Sequence, residues 1–291
     1  MNPKKLAYKE MKKRQLEDLR NNVCNYHVYK EFSTPFTYAF VKLGISPNAI
    51  TLSSILLVLA GFYFLSLGTY FGFIIGLLFF ALFKIFDMSD GEVVRIQNSH
   101  SIEGAYYDRI SHYVFGISLA MGLGMGLYRL YGQELYILLG SAFSLVIILE
   151  NAMRDSLRLF LRVGLAKIGK GKDITKNLKQ IDRDIRKKFL GNMHQGKEWA
   201  EGNFVAKSIG IYPEQGLIYS ESMMIPILGA LTIVEYVLAS YFNIEIVFFG
   251  FPIGLIAPYI ALVSAVKAIY IIIFIYGLEK KRPLTSTIKS L

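Results

Sequence analysis

The chain has 291 residues, 53% of them hydrophobic and 19% charged, with a formal net charge of +10 and a mean hydropathy of +0.40. Its Lys and Arg residues lie between long apolar segments and not on a polar domain, which excludes nucleic acid as the partner of the positive charge and points to anionic lipid at a bilayer surface. Cys24 is the only cysteine, so an internal disulfide and a cysteine-based metal site are excluded as well.

Residues 1–20 are highly charged and contain no apolar run that can act as a signal peptide, which predicts a cytosolic amino terminus. From about Tyr26 to Leu43, aromatic residues mix with Lys30, Glu31 and Lys42 around Pro35, the pattern of an amphipathic helix lying in the membrane interface. Ser46 followed by Pro47 then predicts a sharp helix start, with serine as the N-cap and proline at the first helical position.

Six apolar segments follow, at about 49–68, 70–94, 103–127, 133–158, 217–241 and 252–277, each close to the length that crosses a bilayer. The predicted fold class is therefore all-α, a polytopic membrane protein with six transmembrane helices and an N-terminal interfacial amphipathic helix. The expected organisation is an arm and interfacial helix over 1–48, a transmembrane domain over 49–278 that carries a basic cytosolic insert at 159–216, and a basic tail over 279–291. The links near Gly68, Gly132 and Asn243 are nearly free of basic residues, whereas the arm, the Arg95 loop, the insert and Lys280-Lys281-Arg282 are rich in them. By the positive-inside rule both termini are cytosolic, in a prokaryote at the cytoplasmic membrane. The end of span two, the start of span three, the end of span four and the start of span five then share that face.

Several residues stand out on these spans. Gly116, Gly122 and Gly126 let span three pack closely against a neighbour. Glu150, Arg154 and Arg158 repeat every four residues with Asp155 beside them, which suits either ion pairs along a helix end or a guanidinium site for an anion. The polar segment from Arg162 to Gln215 reads as a solvated connector on anionic lipid, with a surface helix from Ile174 to Leu190. Trp199 and Tyr212 return the chain to the interface, and Glu221 opens span five. Lys267 lies well inside the last span, where it can snorkel, pair with an acid or face a polar cavity.

The densest polar pattern joins spans two and three, in FDMSDGEVVRIQNSHSIEGAYYDRISH from Phe86 to His112. Asp87, Asp90 and Val94 fall at i, i+3 and i+7, and Gly104, Asp108 and His112 at i, i+4 and i+8, so each set lies along one helix face. In an antiparallel hairpin the two faces converge. Three carboxylates brought that close repel one another unless a cation lies between them, and oxygen ligands suit Mg²⁺ or Mn²⁺.

As a pattern the stretch is Asp87-x2-Asp90-Gly91-x2-Val94-Arg95-x8-Gly104-x3-Asp108-x3-His112, which resembles the signature of the CDP-alcohol phosphotransferases, also called phosphatidyltransferases. Six of the eight fixed positions match, with the spacing intact. Val94 stands where that family has alanine, and His112 where it has its last aspartate. The resemblance implies a membrane transferase that moves a substituted phosphate from a CDP-alcohol to an acceptor hydroxyl and releases CMP, in phospholipid or glycolipid and glycan synthesis. It implies a divalent cation, Mg²⁺ or Mn²⁺, held by Asp87, Asp90, Asp108 and His112, with Asp108 and His112 as the catalytic residues. His112 in particular is expected to take the proton of the attacking hydroxyl.

The same resemblance implies that Asp90, Gly91, Val94, Arg95 and Gly104 meet the nucleotide. It adds Asn48 and Thr51, because the family often opens its first span with a similar Pro-Asn-x-x-Thr run. Arg154, Arg158 and Glu221 are then candidates for the acceptor or its phosphate. The partners implied are the CDP-alcohol donor, an alcohol acceptor and a bilayer with anionic lipids, with no nucleic acid and with a homodimer left open. Two alternatives remain: a non-catalytic relative that binds lipid or a protein partner, and a membrane carrier, for which neither internal repeats nor interrupted spans are found.

Overall fold

The computed structural model describes residues 27–99, 101–167, 221–244, 246–248 and 251–281. Helix α1 runs His27–Leu43, α2 Pro47–Ser66, α3 Tyr70–Gln97, α4 Ile102–Tyr131, α5 Leu135–Lys167, α6 Glu221–Tyr241 and α7 Ile256–Lys281. Between α6 and α7 a two-residue strand β1, Val247–Phe248, pairs antiparallel with β2, Phe251–Pro252. The charged arm before residue 27, the predicted surface helix at 174–190, Trp199, Tyr212 and Arg282 lie outside the described residues.

Local chemistry sets the helix ends. The Ala49 N–H donates to the Ser46 hydroxyl at 3.3 Å with Pro47 at the first helical position, as the sequence predicts. Thr69 caps α3 by accepting from the Gly72 N–H at 3.0 Å, and Ser101 caps α4 by accepting from the Gly104 N–H at 2.9 Å. Asn98 closes α3 and Gly132 closes α4, both in the left-handed conformation with φ of 52° and 72°.

Two boundaries differ from expectation. The last helix starts at Ile256 and not near 252, because Pro252 belongs to the hairpin and Gly254 turns the chain with φ +63°. Helix α5 continues to Lys167, into the stretch read as the insert, because LRLFLRVGLAK contains no helix breaker strong enough to stop it. At the helical rise its 33 residues span about 50 Å, more than the hydrocarbon thickness of a bilayer.

Among the described residues, α2, α3, α4, Leu135–Met153 of α5 and Met224–Tyr241 of α6 are long and apolar enough to cross a membrane. The apolar part of α7, Ile256–Ile272, is shorter. Helix α2 packs along both α3 and α4, α5 along α4, α7 along α5, and α1 and α6 along α3. The interior is filled by Phe73, Phe80, Phe83, Phe115, Leu119, Leu123, Leu127 and Phe143, all fully buried. Outward, Leu52, Leu56, Leu59 and Tyr63 recur at helical spacing on α2, and Leu138, Leu145 and Leu149 on α5, as a lipid-facing surface requires.

Small residues permit the close helix crossings. A side chain at Gly126 would overlap the Leu65 carbonyl and come to 2.5 Å from the Phe73 ring, and Gly124 packs backbone to backbone on Gly140. Helix α1 meets α3 through a polar seam: Ser33, Thr34 and Thr37 are buried, and the Thr37 hydroxyl donates to Glu92 Oε2 at 2.6 Å. Pro35 does not interrupt α1; it sits exposed within a continuous helix.

Candidate metal centre and active site

The short link between Asn98 and Ser101 folds the end of α3 beside the start of α4, and the two predicted faces meet. His112 Nε2 lies 3.3 Å from Asp87 Oδ1 and 3.8 Å from Asp108 Oδ1. One ligand atom from each of Asp87, Asp108 and His112 falls within 4.8 Å of the others. Two carboxylates and an imidazole at that separation fit one hard divalent cation, and the absence of any sulfur donor favours Mg²⁺ or Mn²⁺ over softer ions.

Asp90, one turn further along α3, stands apart from this trio. Its Oδ2 accepts from the Thr51 hydroxyl at 2.6 Å, so a residue of α2 orients it. Asn48 also reaches the site: a side chain at Gly104 would come to 2.9 Å from Asn48 Oδ1 and would push that amide aside. Gly91 and Val94 are half-buried and Arg95 is exposed, at the same end of α3. A side chain at Gly91 would meet only the Arg95 guanidinium, at 3.5 Å.

Beneath the trio the wall is aromatic. Phe83 stacks on Phe115 with ring centres 4.9 Å apart and stands edge-on to His112 at 6.2 Å. The buried Lys84 places Nζ 4.3 Å from the centre of the Phe115 ring. A cation one turn below Asp87 lowers the cost of gathering carboxylates there.

Helix α5 joins the site through Asp155. Its Oδ1 lies 3.1 Å from Arg109 Nη1 and its Oδ2 accepts from the Tyr113 hydroxyl at 3.1 Å. Arg154 and Arg158 sit on the same stretch of α5, and Glu221 opens α6, but the side chains of all three lie outside the described residues. Glu150 pairs with Lys267 of α7, both buried, which answers the question that Lys267 raised.

Lys84, Arg109, Tyr113 and the Thr37–Glu92 bond were not singled out from the sequence. For Lys84 a signal was present, a lone lysine in the apolar run LLFFALFKIF. Arg109 and Tyr113 trail Asp108 and His112 by one position, which turns them toward α5 on the next face of the helix.

No curated protein matches the chain. Residues 44–178, which contain α2 to α5 and the whole Asp87–His112 motif, match the family model described as CDP-alcohol phosphatidyltransferase.

Proposed function

We propose that the chain is an active membrane transferase that moves a substituted phosphate from a CDP-alcohol to an acceptor hydroxyl and releases CMP, in the synthesis of a phospholipid, glycolipid or glycan. The family implies a CDP-alcohol donor and an alcohol acceptor. The observation that carries the reading of an active enzyme is the meeting of Asp87, Asp108 and His112 at one point in spite of the changed last position. A lapsed site would have no need to keep two carboxylates and an imidazole facing one another.

Asp87, Asp108 and His112 would hold the divalent cation, with Asp90 on the next turn as a further oxygen donor. When bound, that cation neutralises the diphosphate and the charge that develops on departing CMP. The remaining work falls to the chain. Thr51 and Asn48 set Asp90 and the start of α4, so that the nucleotide lies against Gly91, Val94 and Gly104 with Arg95 on its phosphate. Arg154 and Arg158, with Glu221, receive the acceptor or its phosphate. The acceptor oxygen attacks the phosphorus that carries the donor alcohol, the bond from that phosphorus to CMP breaks, and, with Nε2 facing both carboxylates at the cation site, the hydroxyl proton passes to the other ring nitrogen of His112. The Phe83–Phe115 wall keeps water from competing with the acceptor.

Six spans, with α7 as the last and α1 in the interface, support this arrangement, because the positive-inside rule then puts the motif end and both termini on the cytosolic face. The test is CMP release by purified protein with Mg²⁺ or Mn²⁺. Asp87→Asn and Asp108→Asn abolish it in folded protein. At saturating metal, His112→Ala lowers turnover by about 10²–10⁴-fold, whereas His112→Asp retains part of it. Full activity in Asp87→Asn refutes the metal assignment. Full turnover in His112→Ala, with only the metal requirement raised, makes His112 a ligand and not the base.

A further inference from the structure

A second polar site lies at the other end of the bundle. Tyr70 opens α3 seventeen residues before Asp87, which puts it about 25 Å from the metal centre along the helix. Tyr131 closes α4 at that same end. Together with Glu235 of α6, Pro252, Gly254 and several aliphatic side chains, these tyrosines line a cavity of about 260 Å³.

Glu235 is only 3% exposed. Its Oε1 accepts from the Tyr131 hydroxyl and its Oε2 from the Leu255 N–H at 2.6 Å, so both donors are neutral groups. Among the described residues no Lys, Arg or His lies within ion-pair distance of it. The start of α7 favours an anion there, and Gly254 makes room, since a side chain at that position would sit 2.6 Å from both carboxylate oxygens. These contacts hold the carboxylate in place without balancing its charge.

Two of the lining residues are tyrosines. Tyr70 packs against Tyr236 with ring centres 5.7 Å apart, and Tyr131 against Tyr136 at 5.6 Å, so both lining rings are held rigid from behind. One carboxylate among aliphatic side chains cannot supply the six to eight oxygens of a calcium site or the octahedron of magnesium. A carboxylate with tyrosine rings and apolar walls suits an alkylated ammonium, whose charge faces the acid and whose methylenes or methyls face the rings.

We propose that this cavity binds a small organic ammonium ion, either a free amine or the ammonium head group of a lipid, at the membrane face opposite the motif. The experiment uses the full chain in nanodiscs of phosphatidylglycerol, which has no ammonium group, and follows melting temperature against choline chloride, with sodium chloride and calcium chloride as controls. Choline raises the melting temperature saturably and the two salts do not. Glu235→Gln abolishes the response, and Tyr70→Leu raises the apparent Kd about fivefold, as loss of one partly desolvated cation–π contact implies.

Nanodiscs containing phosphatidylcholine separate the sources. If the choline response disappears in them, the head group occupies the site; if it persists with the same midpoint, the ligand is free. Absence of a saturable choline response in the wild type, an equal response to sodium or calcium, or an unchanged midpoint in Glu235→Gln overturns the proposal. Should Glu235→Gln fail to fold, an unchanged midpoint in Tyr70→Leu overturns it instead.

Discussion

Lys267→Met removes one half of an ion pair that is almost wholly enclosed: the Lys267 side chain is 5% exposed and that of Glu150 11%. What remains is a carboxylate on α5 facing an apolar side chain on α7. Breaking such a pair costs about 3–5 kcal/mol, chiefly because the surviving buried charge loses its close counter-charge. At roughly 2–4 °C per kcal/mol for a chain of this size, the melting temperature falls by about 6–20 °C. Glu150→Leu alone strands the ammonium and is expected to cost a similar amount. The double variant Glu150→Leu/Lys267→Met removes both charges together and recovers most of the loss, because apolar residues of similar volume replace a buried pair at little cost. Size-exclusion chromatography of detergent-solubilised protein after heating measures all three, and the double-mutant cycle isolates the coupling. If each single variant loses less than about 1 kcal/mol, the pair is solvated and this reasoning fails. If the double variant is stable but inactive, the pair serves the acceptor as well as the fold.

Thr51→Val deletes the hydroxyl that donates to Asp90 and nothing else of size; the metal concentration giving half-maximal CMP release is expected to rise about tenfold, and an unchanged value would detach Asp90 from the metal. Val94→Ala restores the smaller residue on the predicted nucleotide face, so the Michaelis constant for the CDP-alcohol should change more than the maximal rate; a constant value argues against contact there. Gly126→Val drives a side chain into the Leu65 carbonyl and the Phe73 ring, and should destabilise the α2–α4 crossing by about 1–3 kcal/mol with the metal centre intact; unaltered thermal stability would mean that the helices can separate freely.

The convergence of Asp87, Asp108 and His112 was legible in the sequence because helical period alone puts them on two facing stripes, and a link of a few residues leaves those stripes no alternative but to meet. Ser46-Pro47 was legible for the same local reason. What escaped was of another kind. Whether Asp90 faces the trio or Thr51 depends on how α2 leans on α3, which no periodicity records. The partner of Lys267 lies 117 residues away, so nothing near Lys267 in the chain identifies Glu150. The start of α7 was misplaced because Phe251 and Ile253 look apolar enough to be helical, while the backbone spends them on a hairpin and a left-handed turn. Glu235 carried the same signal as Lys84, one ionisable residue in an apolar helix, but its role can be read only beside the residues that surround it in space.

The buried polar bonds share a geometry that bears on how the site works. Thr37 of α1 holds Glu92, Thr51 of α2 holds Asp90, and Arg109 and Tyr113 of α4 hold Asp155 of α5. Thr37 and Thr51 thus steady two acids of α3 that flank the trio, and Asp155 ties α5 to α4, while Asp87, Asp108 and His112 face one another. A carboxyl group fixed by a neutral hydroxyl loses its freedom to turn, so it can flank the trio without collapsing onto it. That division also explains why the motif alone is too little to build the centre. Helices α1 and α2 each contribute a side chain that directs an acid of α3, and α5 is tied to α4 next to Asp108 and His112; a preorganised cation site requires such directions to be set before the ligand arrives.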